Sequence, residues 1–200
     1  MSADTVRQEF IRAAAARLAR DPFAEVRYDD IVRDAGLEMS DARSLFADKA
    51  EIANAILDHE RASMRTTMAE IIGQAISPLQ KIIRAFEAVG ENCERDILVR
   101  AGVRLATESR QYFPHRRLDP FETWREFVRS QLVHARGGGT LRDIDIEDTV
   151  WVLVAAGMGA KDLIAMQGSW ENAGTRMADI ARTVVSLIAT SRNSESASVA

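Results

Sequence analysis

Apolar residues recur at helical spacing along most of the chain, and no convincing period-2 pattern appears. Val6, Phe10, Ile11, Ala14 and Leu18 share one face of a helix predicted over 3–19, which Asp21-Pro22-Phe23 breaks. A short helix follows, ending over 31–35. Gly36 can supply the positive φ of a tight turn, and Ser40-Asp41 opens a second short helix over 42–46. Asp48, with Glu51 three residues on, has the pattern of a capping box for a long fourth helix over 49–75, which carries Ile52, Ile56, Met64, Met68, Ile71 and Ile72. Ser77-Pro78 restarts a helix whose buried face is Leu79, Ile82, Ile83, Phe86 and Val89. A sixth helix spans 97–108 with Leu98, Ala101 and Leu105 inward. A loop with two prolines covers 112–120. A seventh helix over 121–135 ends at Gly137-Gly138-Gly139. The eighth, over 147–166, is apolar nearly all round between Val150 and Gly159, so it needs cover on more than one face. The ninth, over 171–189, has Met177, Ile180, Ala181, Val184, Leu187 and Ile188 on one side. The expected fold is all-α with about nine helices. Residues 191–200, SRNSESASVA, are polar and predict a disordered tail.

The pair of short helices joined at Gly36, with Leu37 dropping between them, has the helix-turn-helix shape, whose second helix fits a DNA major groove. The order Asp30-Ile31-Val32-Arg33-Asp34-Ala35-Gly36-Leu37, then Phe46, Asp48-Lys49 and a long helix resembles the TetR family of bacterial regulators. Ser77-Pro78-Leu79-Gln80, the run from Val99 to Ala106 and the downstream Trp124 resemble its γ-butyrolactone-receptor branch. The resemblance covers the whole chain. It implies a DNA-binding head over 1–48 and a ligand-binding and dimerisation domain over 49–190. The implied partners are a double-stranded DNA operator, a small apolar lactone-like ligand, and a second copy of the chain or a related regulator. The last two helices would form half of a four-helix dimer interface, with Ala155, Ala156, Gly157, Gly159 and Ala160 allowing close approach. The expected function is ligand-responsive repression; the alternative is a TetR-fold binding protein that has lost its operator.

Charge bears on that choice. The chain's formal net charge is −4, and residues 1–60 hold eight basic and thirteen acidic side chains. Phosphate contacts supply most non-specific DNA affinity, so an acidic head predicts weak, salt-sensitive DNA binding. The recognition helix also departs from the family pattern. Glu38, Met39, Ser40, Arg43 and Ser44 stand where the family usually has a small hydroxyl, then Lys, a small residue and an aromatic pair. With Arg27 at the start of helix two and Lys49 at the first turn of helix four, these are the candidate DNA-binding residues. Arg43 could read a guanine through two hydrogen bonds, and Lys49 with its helix N-terminus could meet a phosphate.

The candidate ligand contacts are Ile83, Phe86, Val99, Val103, Trp124, Phe127 and Val128. A tryptophan offers a flat apolar face and one N–H donor, which suits a lactone ring with an alkyl tail. Core packing is the other reading of the same apolar spacing. Arg100 and Arg104 share a face and suit ion pairing better than ligand orientation. The lone cysteine, Cys93, excludes an internal disulfide and fits core filling in a reducing cytoplasm. His59, His115 and His134 fall on separate elements without metal-ligand spacing, and the triple glycine lacks the Lys-Ser/Thr of a phosphate loop. Neither a cofactor nor catalysis is expected. No signal peptide is read, and no apolar run approaches the length of a membrane span.

Overall fold

The computed structural model describes residues 2–116 and 122–190. The expected start of the seventh helix at Phe121, the second half of the proline loop and the tail over 191–200 lie outside the described residues. Among those described are nine α-helices: α1 (Ala3–Leu18), α2 (Tyr28–Asp34), α3 (Met39–Leu45), α4 (Lys49–Gly73), α5 (Pro78–Arg95), α6 (Ile97–Tyr112), α7 (Glu122–Gly137), α8 (Ile146–Gln167) and α9 (Ala173–Ile188). Their contacts divide the chain into two units. One holds residues 1–65 and 95–118, the other residues 66–94 and 119–200. The first two-thirds of α4 and all of α6 therefore pack with α1–α3. That partition runs through α4 and not at residue 48, where the sequence suggests the functional head ends.

In the first unit, Phe10, Ile11, Ala14 and Leu18 of α1 are buried against Ile31, Val32, Ala42 and Phe46 of the helix-turn-helix. Ile52 and Ile56 of α4 and Leu98, Ala101 and Leu105 of α6 join the same core. Gly36 has a φ of 66°, the left-handed value its turn requires. Leu37 is half-buried against this core. The recognition helix starts at Met39, earlier than Ala42, with Glu38 at the N-cap and no side-chain cap bond. Phe46 is its extended C-cap and not its last helical residue. Asp48 Oδ1 accepts from the N–H groups of Ala50 (2.8 Å) and Glu51 (2.9 Å), while Glu51 Oε2 accepts from Ala47 N–H at 2.7 Å. The box closes one residue earlier than in its usual form, where the reciprocal donor is the cap residue itself.

Near its middle α4 meets α6 closely. A Cβ on Gly102 would stand 2.3 Å from Glu60 Cβ. His59 Nε2 lies 2.6 Å from Asp96 Oδ2, and Asp96 Oδ1 caps α6 through Leu98 N–H at 2.8 Å. Arg116 bonds Asn54 Oδ1 (2.9 Å) and pairs with Asp58.

The second unit packs α7 on α8 and α8 on α9. Ser77 and Gln80 cap α5 reciprocally, Gln80 N–H to Ser77 Oγ (3.3 Å) and Ser77 N–H to Gln80 Oε1 (3.0 Å). Leu79, Ile82, Phe86, Val89 and Cys93 form the buried face of α5, with Ile83 only half-buried. A Cβ on Gly90 would meet Ala173 O at 2.3 Å, so α5 and the start of α9 touch backbone to backbone. An isolated bridge between Leu141 and Ala189 ties the loop after α7 to the end of α9. Gly168, at φ 65°, ends α8 in the left-handed conformation.

The second unit leaves several apolar side chains exposed in the single chain. Ile72 is 53% exposed, and Leu187 points outward from α9, whose buried line is Met177, Ala178, Ala181, Val185 and Ile188. Helix α8 buries Val150, Leu153, Ala160 and Ile164 but leaves Trp151, Val152, Leu163 and Met166 exposed, Met166 by 84%. Finally, α8 is long and apolar enough by composition to cross a membrane, because its helix continues beyond the apolar run that the sequence suggests is too short.

Candidate nucleic-acid interface and ligand-binding face

The exposed face of α3 carries Ser40, Asp41, Arg43 and Ser44, with Glu38 at its entrance. Met39 turns the other way and is half-buried against the head's core. Ser44 Oγ donates to Asp41 O at 2.6 Å, a local bond that leaves its side chain against its own helix. Tyr28 fixes where α3 ends. Its hydroxyl donates to Phe46 O at 2.6 Å, and burial pushes the phenol above its ordinary pKa.

The head's cations divide by how firmly they are held. Arg17 makes a two-pronged bond to Asp34 (2.5 and 2.9 Å), joining α1 to α2. That hydrogen bond holds the Asp34 carboxyl below its usual range. Lys49 donates to Phe23 O (2.6 Å) and Val26 O (2.7 Å), with its amine 4.3 Å over the centre of the Phe23 ring. Burial lowers its pKa. Expected at a phosphate, Lys49 is thus already engaged by two carbonyls of its own chain. Arg7 stacks on Phe46 at 4.5 Å, and Arg33 pairs with Asp30. Arg27 is different. Its partner Asp29 is 3.5 Å away, and the two side chains are 74% and 61% exposed. Such a pair is worth at most about 1 kcal/mol and gives way readily to another anion. Arg43 is exposed on α3. Arg27 and Arg43 are therefore the candidate DNA contacts that remain available at little cost.

The candidate ligand contacts fall on both units. On the second, Trp124 stands edge-on to Phe86 and to Phe127, with ring centroids 6.3 Å apart in each case. Phe86, Phe127 and Val128 are buried, whereas Trp124 and Ile83 are half-buried. Gly157 makes room for this cluster, since a Cβ there would stand 2.9 Å from Phe86 Cε1. On the first unit, α6 carries Val99, fully buried, and Val103, half-buried. Arg104 pairs with Glu108 on the same helix, the structural role its spacing suggests.

Among the described residues, no group of three or more His, Cys, Asp or Glu could hold a metal ion. The His59–Asp96 contact leaves no signal in the sequence, because it joins positions far apart in the chain. The same holds for the Lys49 bonds, whose acceptors are backbone carbonyls that no side-chain pattern encodes.

No protein-family model matches the chain, and no curated protein matches it. Solved structures do. CprB, a TetR-family protein from S. coelicolor A3(2), is 25% identical, with a TM-score of 0.80 over 99% of this chain and 97% of that one. A γ-butyrolactone receptor described as ArpA-like is 26% identical, with a TM-score of 0.68 over 91% of this chain and 100% of that one. CprB from Streptomyces coelicolor in complex with its biological operator sequence shares the fold at 24% identity, with a TM-score of 0.77 over 98% of this chain and 94% of that one. The chain thus has the TetR-family fold over nearly its whole length, and the proteins it is similar to are regulators of that family, γ-butyrolactone receptors among them.

Proposed function

We propose that this protein is a dimeric, ligand-responsive transcriptional repressor of the TetR type, working in the cytoplasm on double-stranded DNA. The observation that supports it most is the full-length likeness to CprB, helix-turn-helix included. Arg43, with Ser40 and Ser44 beside it, enters the groove, and Arg27 meets the backbone. Glu38 and Asp41 at the same end of α3 favour a site where an acid can accept from cytosine, and they weaken phosphate attraction. The exposed stripe of Val152, Leu163 and Met166 on α8 joins a second copy. The ligand is a small apolar molecule of the lactone class, its tail on the Trp124 face beside Ile83 and Phe86. It biases the tilt of α4, and hence the spacing of two recognition helices that must match half-sites about one helical turn apart.

The test is duplex selection from a random pool by the full chain at low salt, followed by release with γ-butyrolactones of graded chain length. Enrichment of a palindromic site, released by one ligand class, is the expected result. If no duplex is enriched while a lactone still quenches tryptophan fluorescence, the protein is a binding module without an operator. One observation favours that second reading: Arg17, Lys49 and Arg7 are all held within the head.

A further inference from the structure

Between α1 and α2 the chain runs through Phe23 and Val26 without forming a helix, then enters the helix-turn-helix at Arg27. This connection is gripped from two helices. Glu108 on α6 accepts the Phe23 N–H at 2.9 Å, and its other oxygen pairs with Arg104. At the same end of α6, the rings of Tyr112 and Phe113 lie 5.0 and 5.1 Å from that of Phe23. Lys49, the first residue of α4, holds Phe23 O and Val26 O and covers the ring. Both polar backbone atoms of one loop residue are thus taken by charged side chains of different helices, and bonds to charged groups are stronger than neutral ones.

We propose that this Phe23 hub is a relay: Glu108 and Lys49 are positioning residues that make the orientation of α2 and α3 follow α6 directly, in addition to any tilt of α4. The regulatory meaning rests on the ligand-responsive reading above; the mechanical coupling does not. Helix α6 is one continuous element with Val99 and Val103 in its first half and Glu108 near its end. Displacement at the valines is therefore displacement at Glu108. Little slack exists to absorb it, because Gly102 meets Glu60 without room for a Cβ and Asp96 is bonded to His59. The loop that receives the movement leads straight into the first turn of α2, and Arg17–Asp34 and Tyr28–Phe46 tie α2 to its neighbours.

Amide hydrogen exchange on the full chain tests this, comparing wild type with Glu108→Ala and Glu108→Gln. Glutamine keeps an acceptor oxygen for Phe23 N–H but loses the charge. In Glu108→Ala the Phe23 amide and those of α2 and α3 should exchange about tenfold faster, the equilibrium weight of one charged hydrogen bond. The amides of α1, α8 and α9 should be unchanged, and Glu108→Gln should restore most of the protection. A uniform rise across α1 as well as α2 and α3 would mean that Glu108 merely supports the core. An open Phe23 amide with unchanged α2 and α3 would mean that the loop transmits nothing. Either result overturns the relay. Should Glu108→Ala fail to fold, Lys49→Met, which releases Phe23 O and Val26 O instead, carries the comparison, and unchanged α2–α3 protection there is equally fatal. If wild type selects no duplex, the repressor reading fails while the exchange pattern still decides the relay.

Discussion

Lys49 shows how one side chain changes meaning once its neighbours are known. A lysine at the first turn of a helix reads as a phosphate contact, yet its amine is bonded to two carbonyls of the preceding loop. Lys49→Met should keep the stem's packing over Phe23 and lose both bonds. The expected loss is about 3 kcal/mol, the low end for two hydrogen bonds to a charged donor, because the site is only partly buried. Urea unfolding would register it as a lower midpoint at unchanged slope. Asp96 makes a pH prediction. Burial pushes its carboxyl up, but the hydrogen bond from His59 and the N–H groups of Leu98 and Val99 outweigh that and leave the carboxyl below its ordinary range. A carboxyl lowered by folding adds stability that is present above its unfolded pKa, about 3.9, and lost as pH falls through the folded value. Melting temperature should therefore drop more steeply below about pH 4 in wild type than in Asp96→Asn. Parallel curves for the two proteins would remove Asp96 from the account.

At the scale of elements, close helix packing sets the sign of substitutions that helix propensity alone would misjudge. Alanine is favoured over glycine inside a helix by about 1 kcal/mol. At Gly90 that gain is outweighed, since a Cβ would sit 2.3 Å from the backbone oxygen of Ala173, and backbone cannot swing aside. Overpacking of this kind costs about 1–3 kcal/mol, so Gly90→Ala should lower stability on balance in calorimetry. Gly159 on α8 is the contrast. A Cβ there meets nothing within 4 Å in the single chain. Gly159→Ala should therefore stabilise an isolated protomer. It should weaken the assembly if the partner's helix closes on that glycine, a reversal visible as concentration-dependent melting.

For the whole molecule, two properties follow from what is left uncovered and what is already paired. Leu163 is 57% exposed on an α8 whose Trp151, Val152 and Met166 are exposed too. Leu163→Arg should convert a dimer to a monomer in sedimentation at micromolar concentration, because a charge buried against apolar surface is costly without a partner. An unchanged sedimentation coefficient would move the interface elsewhere. Any operator binding should be weak and, between about 50 and 200 mM salt, have a shallow slope, because each phosphate contact releases its own counterions and few head cations are free to make one. Salt sensitivity, expected from the acidic sequence, is thus better read as low affinity with a small slope. Tight binding with a steep slope would show that Arg27 and Arg43 together outweigh the acidic background.

Local choices are written in the amino-acid order. Apolar spacing, the caps at Asp48 and Ser77 and the turn at Gly36 are each set by a few neighbouring residues, so the order of helices and the helix-turn-helix are legible from the chain itself. The phase of a buried face is only partly legible. Leu187 and Ile72 are as hydrophobic as their buried neighbours, and which side of a helix is covered depends on what packs there. Four features come only from packing: α6 belongs with α1–α3, Lys49 serves Phe23 and Val26, Glu108 reaches Phe23, and His59 meets Asp96. Each of these joins residues separated along the chain, and several run to backbone atoms that every residue possesses. A pattern of side chains constrains bonds within a few turns of helix, whereas only the packed chain selects among the many distant partners that the same side chains could take.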